Sequence, residues 1–506
     1  MAEAALALVR AKLGHKPVVA VIHTHTHTDH YAGVAGVASE ADVKAGNVQI
    51  LVPEGFLGHV ASENVAVGNC MGRRALYYQG IGLPFGPQGS MTCGLGPQAS
   101  TGTMSLYAPT REIKFTGETI NIDGVEIIFQ MTPGTEAPAE MNFYFPQFKA
   151  LCMAENANAS IHNILTLRGA VVRDAKAWAD YMTEALALFG AQSDVMFASH
   201  FWPQFGNERL NHFIGSNRDM YKYMHDQTVR LMNHGLTGIE IAEDFQLPDA
   251  LGKEWNNRGY YGSLSHNTKA IYQRYLGWYD GNPASLHSLP PVEAGKKYVE
   301  GFGGADAVLA KAQVSFDAGE YRWTAQLLNH LVFADPTNQA ARELLAKTYE
   351  QMAFQTENGT WRGIFLSGAA ELTQGIPGAF KISPFQPAVA AQLTGAMVLD
   401  YVSICLNGPL AAEHSLTFNL EFSDTQEYFL VTVKNGVLVQ QKDVTVASAP
   451  TITTTRLGLI NLVLKKAQLD DSMGSGLVKV KGDVAPFRQL IDLLDTFDFY
   501  FPIIEP

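Results

Sequence analysis

The octet HTHTHTDH, His23–His30, sets four imidazoles and one carboxylate within eight residues. It follows directly on the apolar run KPVVAVI. Closely spaced side chains at the end of a strand converge on one point. Neutral imidazole is a good zinc ligand, and a carboxylate completes a borderline-hard donor set. The octet therefore reads as a metal site and not as a solvated polar loop.

The pattern HxHxDH after an apolar strand resembles the metallo-β-lactamase superfamily, and the resemblance implies two adjacent metal ions. Such a site needs further ligands. Three candidates follow: Glu136 in TPGTEAPAEMNFYFP, Glu155 in KALCMAENANASIHNILTLRGA and His200 in DVMFASHFWPQFG, which again ends an apolar strand candidate. The separations, 19 residues from Glu136 to Glu155 and 45 from Glu155 to His200, are similar to those of the alkyl sulfatases. So are MGRRALYY, RGYYGSLSHN, YLGWYDGNPASLHSLPP and GEYRW, which spread the resemblance over nearly the whole chain. It implies that His25, His27 and Glu136 hold one Zn²⁺, that Asp29, His30 and His200 hold a second, and that Glu155 bridges them. A water between two such ions has a pKa lowered toward neutrality. The implied reaction is hydrolysis of an alkyl sulfate, such as dodecyl sulfate, to alcohol and inorganic sulfate.

The same resemblance assigns sulfate binding to Arg168 in NILTLRGA, with Asn163 beside it. A guanidinium suits that anion because it donates two parallel hydrogen bonds. His162 is expected to handle the proton, as suits an imidazole. His266 joins it as a catalytic group, and with Tyr275 closes the site over sulfate. The segment Ser100–Thr103 offers backbone N–H groups to the sulfate oxygens. His23 lies outside the pattern and reads as a partly buried histidine at a strand end.

The surrounding chain must position these groups. Its 506 residues exceed one core and predict two to four domains. Residues 1–235 alternate short apolar strand candidates (Val18–Ile22, Val48–Val52, Val125–Met131) with helical stretches, an α/β texture. With the resemblance, the expected fold is the αββα sandwich of a catalytic domain. The loop Gly86–Thr110 is long enough to predict a functional or mobile segment. Residues 236–376 are helical, with one tetratricopeptide-like hairpin broken at Asp335-Pro336, and resemble the family's dimerisation domain. A homodimer is expected.

Residues 377–506 form a small α+β domain. Leu416, Phe418, Leu420 and Phe422 alternate with polar residues, and Asn435-Gly436 predicts a tight hairpin. This part resembles sterol-carrier-like domains, which implies a role in gathering the alkyl tail. The four cysteines are scattered and expected to be free thiols.

Net charge −13 argues against nucleic acid as a partner, and no apolar run is long enough to span a membrane. The start, MAEAALALVRAKLG, is an amphipathic helix without the features of a secretory signal. Only 17 residues precede Val18, where the resemblance implies many more, so the chain reads as N-terminally truncated. Two alternatives stay open. One is a metallo-hydrolase of another ester, such as a lactone, phosphodiester or β-lactam. The other is an impaired remnant in which the C-terminal domain binds lipid.

Overall fold

The computed structural model describes the chain except residues 99, 101, 377 and 379–386. Thr101 of the proposed sulfate-binding segment lies outside the described residues, as does most of the stretch just after the expected 376/377 domain boundary.

Two sheets build the first half. A small parallel sheet has the order β1-β2-β3, from Ala20–Ile22, Gln49–Pro53 and Arg111–Ile113. A six-stranded mixed sheet runs β4 to β9 in sequence order: Thr119–Ile122, Val125–Met131, Met141–Phe145, Ala150–Cys152, Val195–Phe197 and Gln204–Phe205. Leu51, Ile113, Phe129 and Phe143 form one apolar cluster between the sheets. The helices Ala175–Phe189 and Asn207–Asn233 cover the outer face of the larger sheet, where Trp178, Met182, Ile214 and Met220 are buried without exposure. This is the metallo-β-lactamase layering that the sequence implies.

The sheets are stitched together at the metal motif. Met141 N donates to Thr24 O at 3.0 Å, and His25 pairs with Glu140 as an antiparallel bridge. The octet is thus held between two sheets before any side-chain contact is counted. Val125–Met131 forms with the predicted bounds, because its apolar run is closed on both sides by turn residues.

The middle region is all helical. Ala305–Asp317, Tyr321–Ala334 and Gln339–Phe354 pack in succession around Leu328, Leu331 and Leu345, with the break at Asp335-Pro336. The helix Gly359–Gln374 returns to the first half. There Arg73 Nη2 meets Glu371 Oε2 at 2.8 Å, with both side chains buried. Tyr77 donates to the same oxygen at 2.5 Å, and Arg73 Nε donates to Phe501 O at 3.0 Å. Arg73 of MGRRALYY therefore ties three parts of the chain.

The last region is a five-stranded sheet of order β12-β11-β10-β13-β14, from Val437–Lys442, Glu427–Lys434, Leu416–Phe422, Thr451–Thr454 and Lys479–Lys481. Asn435 and Gly436 take φ of 57° and 75°, the left-handed pair that a two-residue hairpin requires. The apolar alternation in β10 is interrupted as well as obeyed. Asn419 is buried because its side chain bonds Val446 and Ala449. Helices lie directly on the sheet, with Phe418 and Phe487 ring centroids 5.5 Å apart. The four cysteines are free.

Candidate metal centre

Seven donors meet at the junction of the sheets. His25 and His27 leave the end of β1 in extended conformation, and the short helix Thr28–Tyr31 presents Asp29 and His30. Glu136 lies in the turn before β6, Glu155 follows β7 and His200 follows β8. All are brought together, although they come from four separate segments.

The contacts are those of donors sharing a common point. His25 Nε2 lies 3.0 Å from Glu136 Oε2 and 3.3 Å from Glu155 Oε2. His27 Nδ1 lies 2.7 Å from Glu136 Oε2. Glu155 Oε2 is 2.9 Å from His30 Nε2, and its Oε1 is 3.3 Å from His200 Nε2. Glu155 thus touches both halves of the set. His30 Nε2 and His200 Nε2 approach to 3.3 Å. His25 Nε2 and Glu136 Oε2 are buried without an aligned hydrogen bond, although they are close. Buried polar atoms rarely go unsatisfied, so this donor set fits metal. The donor atoms of His25, His27, Glu136 and Glu155 lie within 4.8 Å of one another, and so do those of Asp29, His30 and His200.

Electrostatics divides the imidazoles. Burial, reinforced by the His30 charge, pushes His25 down to about 4. Burial also disfavours the His27 cation, yet Glu136 and Glu63 outweigh it and lift His27 to about 9. Burial and the Glu136 charge raise the Glu140 carboxyl to about 8. The backbone beside two of the donors is strained. Ala154 and Phe201, the neighbours of Glu155 and His200, adopt φ of 49° and 66°.

The expected substrate groups are placed unevenly. Arg168 is half-buried and bonds Gly169 O and Met71 Sδ. It makes no ion pair among the described residues, so its charge is available to an anion. Asn163 is fully buried, with its amide engaged by Tyr78, Thr166 and Arg173. His162, expected to handle the proton, is reached by no solvent. It is fully buried, and its Nε2 is directed at Glu155 Oε1 at 3.0 Å. Its place is behind the carboxylates, as the group that orients Glu155.

His266 is buried in the helix Leu264–Leu276. Its Nδ1 accepts from Trp361 Nε1 at 3.0 Å, so the proton sits on Nε2, which has no partner. Burial lowers it to about 3, leaving a neutral hydrogen-bond donor and not an acid. Tyr275 is not brought to the cluster: it is half-exposed and its hydroxyl bonds His225 at 2.7 Å. His23 is buried and stacked on Phe56, with ring centroids 5.7 Å apart.

Sequence reasoning passed over three buried supports. Arg173 Nη2 lies 2.6 Å from Glu136 Oε1. Glu140 accepts from Glu136 N at 2.9 Å, Glu155 N at 3.2 Å and Thr135 Oγ1 at 2.6 Å, and so fixes the backbone of both ligand carboxylates. Glu63 Oε2 faces His27 Nε2 at 3.4 Å. Arg173 and Glu140 stand within five residues of Arg168 and Glu136, a signal that was available. Glu63 carries no such signal.

Comparison with known proteins bears on the same arrangement. The metallo-beta-lactamase superfamily matches residues 1–200, the alkyl sulfatase dimerisation family 237–375 and the alkyl sulfatase C-terminal family 383–506. A linear primary-alkylsulfatase from Pseudomonas sp. is 46% identical over 506 residues, covering 100% of this chain and 75% of that protein. The chain belongs to the alkylsulfatase family. An alkyl/aryl-sulfatase of Saccharomyces cerevisiae is 45% identical over 97% of this chain and 76% of its own length. Among solved structures, a stereoselective inverting sec-alkylsulfatase from Pseudomonas sp. superposes with a TM-score of 0.96 at 43% identity, over 99% of this chain and 80% of that one. As a metallo-β-lactamase-type alkylsulfatase, the chain is a sulfate ester hydrolase that uses divalent metal and carries a dimerisation domain. No helix among the described residues is long and apolar enough to cross a membrane.

Proposed function

We propose that this alkylsulfatase hydrolyses alkyl sulfates of the dodecyl sulfate kind at two Zn²⁺ ions. His25, His27 and Glu136 would hold one ion, Asp29, His30 and His200 the other, with Glu155 between. The observation that carries this reading is the convergence of seven donors, with His25 Nε2 and Glu136 Oε2 buried and without aligned hydrogen bonds. Bound there, the ions supply Lewis acidity and lower the pKa of a water toward neutrality.

The chain's own residues do the rest. Arg168 binds and orients the sulfate as an unpaired guanidinium. His266 donates its Nε2–H to a sulfate oxygen without taking part in proton transfer. Arg173 and His162 hold Glu136 and Glu155 in register. The C-terminal domain, expected to gather the alkyl tail, has one face of its sheet filled by Phe418, Phe422 and Phe429; the tail is assigned instead to exposed Trp202 and Phe205, close in sequence to His200. The active unit is a homodimer through the helical region. The test is metal content: the purified chain holds about two zinc ions, and Glu155→Ala reduces both occupancies. Retention of both ions by Glu155→Ala refutes the bridging assignment.

A further inference from the structure

One short turn links the metal motif to the C-terminal domain. Ser62–Ala66 is π-helical. Such widened turns are rare and gather at functional sites. Three consecutive residues in it reach three different targets. Glu63, 3% exposed, directs Oε2 at His27 Nε2. Asn64 Oδ1 accepts from Thr28 Oγ1 at 3.1 Å, at the start of the helix that carries Asp29 and His30. Asn64 Nδ2 is itself anchored on Val60 O at 3.2 Å. Val65, also 3% exposed, is part of the apolar core of the C-terminal domain, with Ala61 packed beside it. The turn touches the helix Gly395–Cys405 of that domain. The helix that follows is tied to the same half of the chain, through Asn69 Nδ2 to Asp498 O at 2.9 Å and Arg73 Nε to Phe501 O at 3.0 Å.

A metal-ligating histidine needs its second nitrogen held, because that hydrogen bond fixes the tautomer and aims the lone pair. His27 turns Nδ1 toward the shared point and Nε2 toward Glu63. His27 Nε2 and Glu63 Oε2 face each other at 3.4 Å without an aligned hydrogen bond, and neither has a hydrogen-bond partner among the described residues. We infer that Glu63 and Asn64 are positioning residues for the metal loop, and that the C-terminal domain clamps them by seating Val65 in its core. On this inference the domain retains metal as well as adding mass to the fold. The inference rests on the donor cluster being a metal site.

The test uses the full-length chain and zinc alone as probe. Zinc affinity is measured by competition with a chromogenic chelator for the wild type, Glu63→Ala, Glu63→Gln, Val65→Ala and the equally shaped Val65→Thr. Thermal unfolding of each is measured in excess EDTA. Glu63→Ala should weaken zinc binding on the order of 10–100-fold, with Glu63→Gln in between because an acceptor remains. The Val65 variants should weaken it several-fold although they touch no ligand. The EDTA melts of the Glu63 variants should match the wild type. Unchanged affinity in Glu63→Ala, or a loss that merely follows its EDTA melt, overturns the positioning role. Unchanged affinity in both Val65 variants overturns the clamp. Absence of zinc binding by the wild type overturns the metal site itself, and the inference falls with it.

Discussion

Replacing Arg73 by methionine keeps an unbranched apolar stem, shortens the side chain and removes its charge. The guanidinium is buried and bonds Glu371 Oε2 at 2.8 Å and Phe501 O at 3.0 Å. Among the described residues, the change leaves a carboxylate in the interior with only the Tyr77 hydroxyl as partner. Removing one member of a buried pair costs about 3–5 kcal/mol, because the remaining charge is uncompensated. The lost bond to Phe501 O adds about 1 kcal/mol. Packing by methionine over Tyr77 and Phe501, whose rings the guanidinium now overlies at 5.2 and 5.9 Å, returns part of this. A net loss of about 3–4 kcal/mol is expected. The assay is urea unfolding of Arg73→Met, Glu371→Leu and the double variant, followed by tryptophan fluorescence. Because replacing both partners by apolar groups is close to neutral, the double variant should be more stable than Arg73→Met. A loss below about 1 kcal/mol for Arg73→Met, or a double variant no better than the single, refutes the claim that this pair pins the helix Gly359–Gln374 to the catalytic half.

Arg168→Lys keeps the charge and loses the planar fork, so kcat/KM for dodecyl sulfate should fall about 10²-fold with metal content unchanged; parity with wild type would remove Arg168 from the sulfate site. Glu427 accepts from Gly395 N at 2.9 Å, Thr425 Oγ1 at 2.8 Å and Lys442 Nζ at 3.1 Å. Burial raises its carboxyl pKa, but these partners outweigh it and leave it below the usual range. A depressed folded-state value means stability present above the unfolded pKa and lost as pH falls through the folded one. Glu427→Gln should thus cost about 1 kcal/mol near neutrality and converge with wild type in acid; a pH-independent difference in unfolding free energy would contradict this. Gly436→Ala should destabilise the chain by about 1–3 kcal/mol, because its φ is 75° and a Cβ would meet Gly408 O at 2.6 Å; an unchanged melting temperature would count against it.

The sequence exposed the candidate donor cluster because metal coordination constrains residue type and spacing tightly. His25, His27, Asp29 and His30 crowd one strand end, and Glu136, Glu155 and His200 each sit just before or after a strand. It exposed β10 and the Asn435-Gly436 turn for the same reason: period-two burial and positive φ are local demands. It did not show that Asn419 is buried within that strand, which depends on backbone groups 27 and 30 residues away. His162 was legible as important but not in its role. Which way an imidazole faces is decided by Glu155 and by the enclosing Trp178 and Tyr261 rings. Tyr275 followed a resemblance, whereas its neighbour in space is His225. Glu63 was invisible, since its approach to His27 depends on a π-helical turn docked against a domain more than three hundred residues away.

The most direct measurement is release of inorganic sulfate from dodecyl sulfate by the purified chain, with zinc, after EDTA treatment, and in His25→Ala. The account predicts release that EDTA abolishes, that zinc restores and that His25→Ala lacks. Soluble, zinc-loaded protein that releases no sulfate from primary or secondary alkyl sulfates would contradict it.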